Sequence, residues 1–142
     1  MNGESPSLNK ASLRQSAKSI RNSLSPERRR EAAEEMVHQL LLSLTPYHSV
    51  LSFSPLPGEI DSRSLNKHLM QEGKLCLLKE EEERWIPYRA VSELRHHPKY
   101  EMMEPTPKES LGEKVQATDV AIIPGLAFAP QGYRLGYGGG AL

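Results

Sequence analysis

The sequence predicts an α/β protein: a single domain of three layers, in which a mainly parallel sheet has helices on both faces. Three observations predict this class. Apolar residues early in the chain have helical spacing, short β-rich runs are bounded by proline and glycine, and a strand, helix, strand order requires a right-handed crossover. The length of 142 residues suits one domain with a core of its own.

Composition and charge exclude several classes of protein. The 18 Lys and Arg residues balance 18 Asp and Glu residues, so we expect no nucleic-acid partner. No apolar run approaches the roughly 20 residues of a bilayer-spanning helix, and the N-terminus has no apolar signal core, so we expect no membrane association. The single cysteine, Cys76, excludes an internal disulfide framework and indicates a reducing compartment, the cytoplasm.

The chain opens with a polar stretch, residues 1–8, which predicts a flexible tail before a folded domain over residues 9–142. From Asn9 the spacing is helical. One stripe of this helix is apolar and consists of Leu13, Ala17, Ile20 and Leu24. A second stripe also has helical spacing and is cationic, with Lys10, Arg14, Lys18 and Arg21.

A second helix is predicted to begin at Ser25-Pro26-Glu27. A hydroxyl at the N-cap and an acid in the first turn interact favourably with the unpaired N–H groups at a helix start. Proline suits the first turn because the N–H that it lacks would be unpaired there. The positions predicted to face the core are Ala33, Val37, Leu40, Leu41 and Leu44. Thr45-Pro46 ends this helix because proline cannot continue it.

Residues 49–53 and 74–78 predict two strands with a third helix between them, which Asp61 caps and Gly73 ends. Strands joined in this way pair in parallel. The loop after the first strand delivers Glu59 to the place where open α/β sheets bind ligands. Glu59 is predicted either to accept a hydrogen bond from a ring N–H of a ligand or to cap the next helix.

The remaining strand signals are shorter. Residues 85–89 predict an edge strand broken by Pro87, and residues 120–123 predict a buried strand ended by Pro124. Four consecutive acids, residues 80–83, predict a solvated turn rather than a metal site.

Residues 132–140 form the sharpest motif, Gly-Tyr-Arg-Leu-Gly-Tyr-Gly-Gly-Gly. Glycines let the backbone approach a ligand with successive N–H groups pointing into one concavity, which suits phosphate. Arg134 can add a bidentate cationic contact. The spacing matches neither common nucleotide-binding fingerprint, and a merely flexible glycine-rich terminus is the alternative.

The cationic stripe of the first helix also has two interpretations. It is either a solvated helix face, or Lys10 and Arg14 meet phosphates held by the glycine motif. The second interpretation requires the first helix to pack near the end of the last strand.

The motifs taken together resemble a known family. They are Lys10-x-x-Leu13-Arg14, Phe53 followed by Glu59-Ile60, Glu104-Pro105, Pro124-Gly125-Leu126-Ala127-Phe128, and Gly132-x-Arg134-Leu135-Gly136-Tyr137-Gly138-Gly139-Gly140. In this order they resemble the 5-formyltetrahydrofolate cyclo-ligase family, the methenyltetrahydrofolate synthetases. The similarity runs from about residue 10 to residue 140.

The resemblance implies a reaction: ATP-dependent, Mg²⁺-assisted closure of 5-formyltetrahydrofolate to 5,10-methenyltetrahydrofolate, with release of ADP and phosphate. In the family's scheme the formyl oxygen attacks the γ-phosphate, and N10 of the folate then closes the ring as phosphate leaves. Such chemistry requires the protein mainly to position the reactants and to neutralise the negative charge on the transferring phosphoryl group. We expect the protein to be a monomer. Its expected binding partner is the small-molecule substrate 5-formyltetrahydrofolate.

The resemblance also implies roles for individual residues. Arg134 is the expected catalytic residue. The expected ATP-binding residues are Lys10, Arg14, Arg134, Leu135, Gly136, Tyr137, Gly138, Gly139 and Gly140. The expected substrate-binding residues are Phe53, Ser54, Glu59 and Tyr137.

The chain departs from the family in two places. The family's glycine loop continues into Tyr-Tyr-Asp-Arg and a further α/β segment, whereas here Gly140 is followed by Ala141-Leu142, so we expect that segment and its Mg²⁺-holding Asp to be missing. Lys79 stands where the family usually has proline. The alternatives are therefore a non-catalytic relic with a partial phosphate nest and, more weakly, an RNA-binding module that uses the basic first helix.

Overall fold

The computed structural model of the protein describes residues 6–90, 94–96, 103–105 and 111–137. The chain divides into two compact units. We call Met1–Pro26 together with Pro124–Leu142 the terminal unit, and Glu27–Ile123 the central unit.

Along the described residues, the three helices all lie before Glu72, and every strand except the first follows them. The helices are α1 (Pro6–Asn22), α2 (Pro26–Ser43) and α3 (Arg63–Gln71). The strands are β1 (Val50–Leu51), β2 (Leu75–Glu81), β3 (Arg84–Ala90), β4 (Leu94–His96), β5 (Met103–Pro105), β6 (Leu111–Lys114), β7 (Val120–Ala121), β8 (Ala127–Phe128) and β9 (Arg134–Leu135). None of these three helices combines the length and the apolar character that crossing a bilayer requires.

The central unit is built on a five-stranded mixed sheet in the order β6-β3-β2-β1-β7. Its middle is parallel as predicted, because Val50 of β1 lies opposite Leu75 of β2 on one side and Val120 of β7 on the other. α3 crosses between β1 and β2 and completes the predicted strand, helix, strand unit. β3 and β6 extend the sheet in the antiparallel direction. The predicted α/β class is confirmed, while helices on both faces of the sheet stay a prediction.

A core of aliphatic side chains holds the central unit together. Its buried members are Leu44, Val50, Leu65, Leu69, Leu75, Leu77 and Ala90. The predicted inward stripe of α2 is confirmed for Val37, Leu40 and Leu41, which pack against this cluster, and for Leu44, which belongs to it. For Ala33 the core contact stays a prediction. Each fully buried leucine or valine contributes roughly 1.5–3 kcal/mol relative to leaving it exposed, so this cluster stabilises the central unit by several such increments.

Cys76 lies in β2 and is fully buried. Burial raises the pKa of its thiol, since the thiolate would lose its hydration. The prediction that this cysteine belongs to the interior is confirmed.

The start of α2 and the end of α3 follow the sequence signals, whereas the start of α1 does not. α2 begins at Pro26 as predicted, and Gly73, just past the end of α3, has the left-handed φ of +73° that favours glycine. α1, however, begins at Pro6, three residues before the predicted start at Asn9. Proline suits the first helical turn, because its missing N–H is not needed there and its φ is already helical. The tail predicted for residues 1–8 is therefore too long, and residues 1–5 lie outside the described part.

Two strand predictions are corrected. β3 lies between β2 and β6 rather than at the edge of the sheet. Pro87 has no backbone N–H to donate, but its carbonyl oxygen accepts the N–H of Val115. The β3–β6 pairing is irregular at this point, so the missing donor of proline is tolerated there. β7 lies at the other edge of the sheet, so the predicted buried strand is only half-buried at Val120 and Ile122, while Ala121 is exposed and Ile123 is 46% exposed.

Candidate functional site

Arg134 and two glycines form the tightest local arrangement of the terminal unit. β8 and β9 make an antiparallel hairpin, which places Arg134 beside the Pro124-Gly125 segment. The Nη1 atom of Arg134 donates to the carbonyl oxygen of Pro124 at 2.6 Å. A Cβ at Gly125 would lie 2.8 Å from Cγ of Arg134, and one at Gly136 would lie 3.1 Å from its Nη1. The absence of a side chain at Gly125 and Gly136 therefore provides the space that the Arg134 side chain occupies.

Arg14 joins α1 to the glycine motif. Its Nε donates to the carbonyl oxygen of Gly136 at 2.8 Å, although the two residues are 122 positions apart in sequence. The packing that the phosphate interpretation of the cationic stripe requires is therefore present in the terminal unit. Lys10 lies one turn earlier on α1 and is exposed to solvent.

Tyr137 lies against the same helix. Arg21 donates from Nη1 to the hydroxyl oxygen of Tyr137 at 2.6 Å. The charged groups of Lys18 and Arg21 lie 5.8 Å and 5.6 Å from the centroid of the tyrosine ring, within range of cation–π attraction. Lys18 and Arg21 were not among the predicted site residues, although both belong to the cationic stripe that could have identified them.

The cationic stripe, not the apolar one, is thus the side of α1 that contacts the glycine motif. An apolar stripe ordinarily marks the buried face of a helix. Here Leu13 is 56% and Ile20 67% exposed, whereas Arg14 and Arg21 are half-buried.

The terminal unit has a strong excess of positive charge. It contains five of the 18 Lys and Arg residues but one of the 18 Asp and Glu residues, a net charge of +4. That one acid, Glu4, lies outside the described residues. A unit in which arginines meet a glycine-rich turn without acidic neighbours is suited to a polyanion such as a triphosphate.

The predicted substrate residues lie in the central unit, where the chain leaves β1. The carbonyl oxygen of Phe53 accepts hydrogen bonds from Oγ of Ser62 at 2.7 Å and from Nδ2 of Asn66 at 2.8 Å. Oγ of Ser52 donates to Oδ1 of Asn66 at 2.5 Å. This polar network fixes the backbone before the buried Ser54. The sequence reasoning missed Ser62 and Asn66, because nothing in their spacing distinguishes them from ordinary helix residues.

Glu59 neither caps α3 nor lies fully exposed. Its Oε1 accepts the backbone N–H of Leu56 at 2.7 Å, and its own N–H donates to the carbonyl of Leu56 at 3.0 Å. The side chain thus closes its own loop. The predicted cap of α3 by Asp61 is corrected, because the N-cap residue is Ser62 and it makes no side-chain capping hydrogen bond. Asp61 lies one residue earlier, and its Oδ1 accepts the N–H of Arg63 at 3.0 Å.

The last three glycines of the predicted cradle, Gly138, Gly139 and Gly140, lie outside the described residues. Within the described ranges, no group of three or more His, Cys, Asp and Glu residues is arranged to hold a metal ion.

Comparison with known proteins assigns the chain. A sequence model described as the 5-formyltetrahydrofolate cyclo-ligase family matches residues 6–141. The chain belongs to this family. Comparison with curated proteins gives no match.

Two solved structures of similar fold support the assignment. A 5,10-methenyltetrahydrofolate synthetase from Aquifex aeolicus, determined by NMR, is 33% identical with a TM-score of 0.80, over 93% of this chain and 69% of that one. A 5,10-methenyltetrahydrofolate synthetase from Mycoplasma pneumoniae shares the fold at 18% identity and a TM-score of 0.63, over 91% of this chain and 71% of that one. The cyclo-ligase resemblance predicted from the motifs is confirmed, and the α/β fold is that of these relatives.

Proposed function

We propose that this cyclo-ligase family member catalyses the ATP-dependent closure of 5-formyltetrahydrofolate to 5,10-methenyltetrahydrofolate, with release of ADP and phosphate. The observation that carries the proposal is the Arg14–Gly136 hydrogen bond, which brings the cationic stripe of α1 to the glycine motif. Family membership and the similarity to the methenyltetrahydrofolate synthetase from Aquifex aeolicus support the reaction.

In this proposal the terminal unit binds the triphosphate of ATP. Arg14 uses Nε for Gly136, and its remaining guanidinium N–H groups make no hydrogen bond with the described residues, so they can donate to phosphate oxygens. Lys10 contributes a mobile point charge on the same stripe. Leu135, Gly136 and Tyr137 supply the described part of the proposed phosphate cradle.

Arg134 has the proposed catalytic role. Its guanidinium is anchored on the Pro124 carbonyl, so its position is set before a nucleotide arrives. A fixed cation of this kind neutralises charge on a transferring phosphoryl group without reorganising during the reaction. ATP, when bound, supplies the phosphoryl group that activates the formyl oxygen.

In this proposal Phe53, Ser54 and Glu59 of the central unit bind the folate substrate, as the family resemblance implies. Glu59 is the group suited to accept an N–H of the pterin ring, and the hydrogen bonds from Asn66 and Ser62 set the backbone that presents Phe53. Among the described residues, no group of three or more His, Cys, Asp and Glu side chains is arranged to hold Mg²⁺.

Turnover by the full chain tests the proposal. Product formation is followed by the absorbance of methenyltetrahydrofolate after mixing 5-formyltetrahydrofolate, Mg²⁺ and protein, with ATP and without it. We expect ATP-dependent product, a reduction of about 100-fold in kcat for Arg134→Lys, since fixed charge-stabilising donors contribute on this scale, and no change for Arg30→Lys, an exposed control on α2. Circular dichroism checks folding. A folded chain that binds ATP but forms no product would refute the proposal and favour the non-catalytic alternative.

A further inference from the structure

The loop that follows β1, residues 53–59, is held near both of its ends by side chains of two different helices. At its start, Asn66 of α3 donates to the carbonyl oxygen of Phe53 at 2.8 Å. Near its end, Nη1 of Arg29 in α2 donates to the carbonyl oxygen of Gly58 at 3.2 Å. The proposed function assigns no role to this arginine.

The end of the loop is a tight turn over residues 56–59. The N–H of Glu59 donates to the carbonyl oxygen of Leu56 at 3.0 Å, and Gly58 has a left-handed φ of +88°. Pro57 at the second position and a glycine of positive φ at the third are typical of a type II turn. Oε1 of Glu59 accepts the N–H of Leu56 at 2.7 Å and closes the same turn. These local bonds set the shape of the turn, but they do not set where the turn lies on the rest of the central unit.

Arg29 is suited to fix that place because of its position on α2. It lies eight residues before Val37 and eleven before Leu40, so it continues the inward stripe of the helix towards its N-terminus. Val37 and Leu40 pack against the core, which holds the helix independently of the arginine. The side chain of Arg29 is half-buried, whereas its neighbours Arg28 and Arg30 are exposed.

The chemistry of the contact suits a positioning role. A hydrogen bond from an ionised donor is roughly twice as strong as one between neutral groups. The planar guanidinium of Arg29 also loses less conformational freedom for each hydrogen bond than the flexible ammonium of lysine does. The bond to Gly58 therefore ties the turn to a helix that the core already holds in place.

We propose that Arg29 is a positioning residue for the folate substrate. Its hydrogen bond to Gly58 holds the turn so that the Glu59 carboxylate is presented to the pterin ring at a fixed place. Arg29 acts through this loop and does not itself contact the substrate. The inference rests on the proposed function, because Glu59 has its substrate role only there.

Amide NMR of the full chain without ligand tests the contact itself. We expect Arg29→Met to shift the amides of Leu56, Gly58 and Glu59 and to leave those of β3 unchanged. Arg30→Met is the matched control, because Arg30 is exposed on the same helix and pairs only with its neighbour Glu34 in the salt bridge at 3.8 Å. It should leave the amides of the turn unchanged.

Calorimetry tests the effect on the substrate. The affinity for 5-formyltetrahydrofolate is measured with Mg²⁺, both with and without a non-hydrolysable ATP analogue. We expect Arg29→Met to bind this substrate about tenfold more weakly, the scale of one charge-assisted hydrogen bond. Arg29→Lys restores an N–H donor and should recover part of the loss, and Arg30→Met should bind as the wild type does.

Three further measurements separate positioning from a general loss of structure. In turnover, KM for the folate substrate should rise by the same factor as the Kd while kcat is unchanged, because the lost binding is common to the ground state and the transition state. The affinity for ATP should be unchanged in all variants. Urea unfolding should give similar stabilities for Arg29→Met and Arg30→Met. If Arg29→Met does not fold, Arg29→Gln, whose shorter side chain is polar but uncharged, takes its place.

The outcomes distinguish this inference from the proposed function. If the wild type binds 5-formyltetrahydrofolate, then unmoved turn amides or wild-type affinity in Arg29→Met, or an equal loss in Arg30→Met, overturns the role of Arg29 alone. A folded wild type that binds no 5-formyltetrahydrofolate overturns the proposed function and this role together. A wild type that binds it without turnover contradicts the proposed reaction, and the Kd values then decide the role of Arg29 by themselves.

Discussion

At the scale of single residues, the position of Arg134 depends on the absence of a side chain at Gly136. A methyl group there would lie 3.1 Å from Nη1 of Arg134 and would displace the guanidinium. We expect Gly136→Ala to weaken ATP binding about tenfold, the scale of one charge-assisted hydrogen bond, with little loss of stability. Isothermal titration calorimetry measures the affinity.

Gly73→Ala is the matched control for that substitution. A methyl group at Gly73 would meet no atom within 4 Å, but the φ of this residue is +73°, so alanine there should cost stability rather than ATP affinity. Unchanged ATP affinity in Gly136→Ala would contradict the role given to Arg134.

Tyr88 offers a test of the β2–β3 geometry by titration. The hydrogen bond to Glu81 and burial raise the pKa of Tyr88 to about 12, because the phenolate would be placed against a carboxylate. Stability from this contact is present below the unfolded pKa of about 10 and is lost as the pH rises towards 12. Ultraviolet titration of the wild type and Glu81→Gln should show one tyrosine whose pKa falls in the variant. Identical titrations would contradict the contact.

At the scale of elements, Asn66 connects α3 to the segment after β1. It is buried, accepts from Ser52 and donates to Phe53. Asn66→Ala should lower the free energy of unfolding by about 1–3 kcal/mol, the cost of leaving buried polar groups without partners. It should also raise KM for the folate substrate, because the Phe53 backbone loses a support. Urea unfolding and steady-state kinetics measure the two effects.

The exposed Lys67→Ala on the same helix is the control for Asn66→Ala. If Asn66→Ala is less stable than the wild type but has an unchanged KM, the hydrogen bonds of Asn66 stabilise the fold and do not support substrate binding.

Asp119 joins the start of β7 to the residues before β1 and gives a pH-dependent prediction. Its carboxylate accepts the N–H groups of His48 at 2.8 Å and Ser49 at 3.1 Å, and these bonds lower its pKa. A pKa lower in the folded than in the unfolded state stabilises the protein above the unfolded value, about 3.9, and this stability is lost as the pH falls through the folded value. Asp119→Asn should therefore be less stable than wild type at neutral pH, with the difference shrinking below about pH 4. Thermal melts from about pH 2 to about pH 7, a range that spans the titration of carboxyl groups, measure it. A difference independent of pH would contradict the assignment.

The sequence patterns predicted the helices and strands more accurately than they predicted the contacts between these elements. The parallel pairing of β1 and β2 follows from the strand, helix, strand order, and the ends at Pro26 and Gly73 follow from backbone restrictions that no tertiary contact overrides. The place of β3 inside the sheet could not be predicted, since a proline disfavours only the N–H side of a strand and here that side faces irregular pairing. The Arg21–Tyr137 contact joins residues 116 positions apart and has no local signal.

At the scale of the whole molecule, a neutral chain conceals two units of opposite charge. The terminal unit has a net charge of +4 and the central unit a net charge of −4, which sum to the net charge of zero in the composition. Global charge balance therefore said little about anion binding. The cationic stripe and the glycine motif were the sequence features that indicated anion binding. Arg14 and Gly136, which join them by a hydrogen bond, are 122 positions apart in sequence.

The affinity of ATP for the wild type and for Arg14→Met, measured by calorimetry on the folded full chain, decides whether the terminal unit is the nucleotide site. We predict that the wild type binds ATP, that Arg14→Met binds it at least about tenfold more weakly because a charged donor is lost, and that Arg30→Met on α2 binds as the wild type does. Equal ATP affinity in all three proteins, or no binding by a folded wild type, would contradict the assignment of the terminal unit as the nucleotide site.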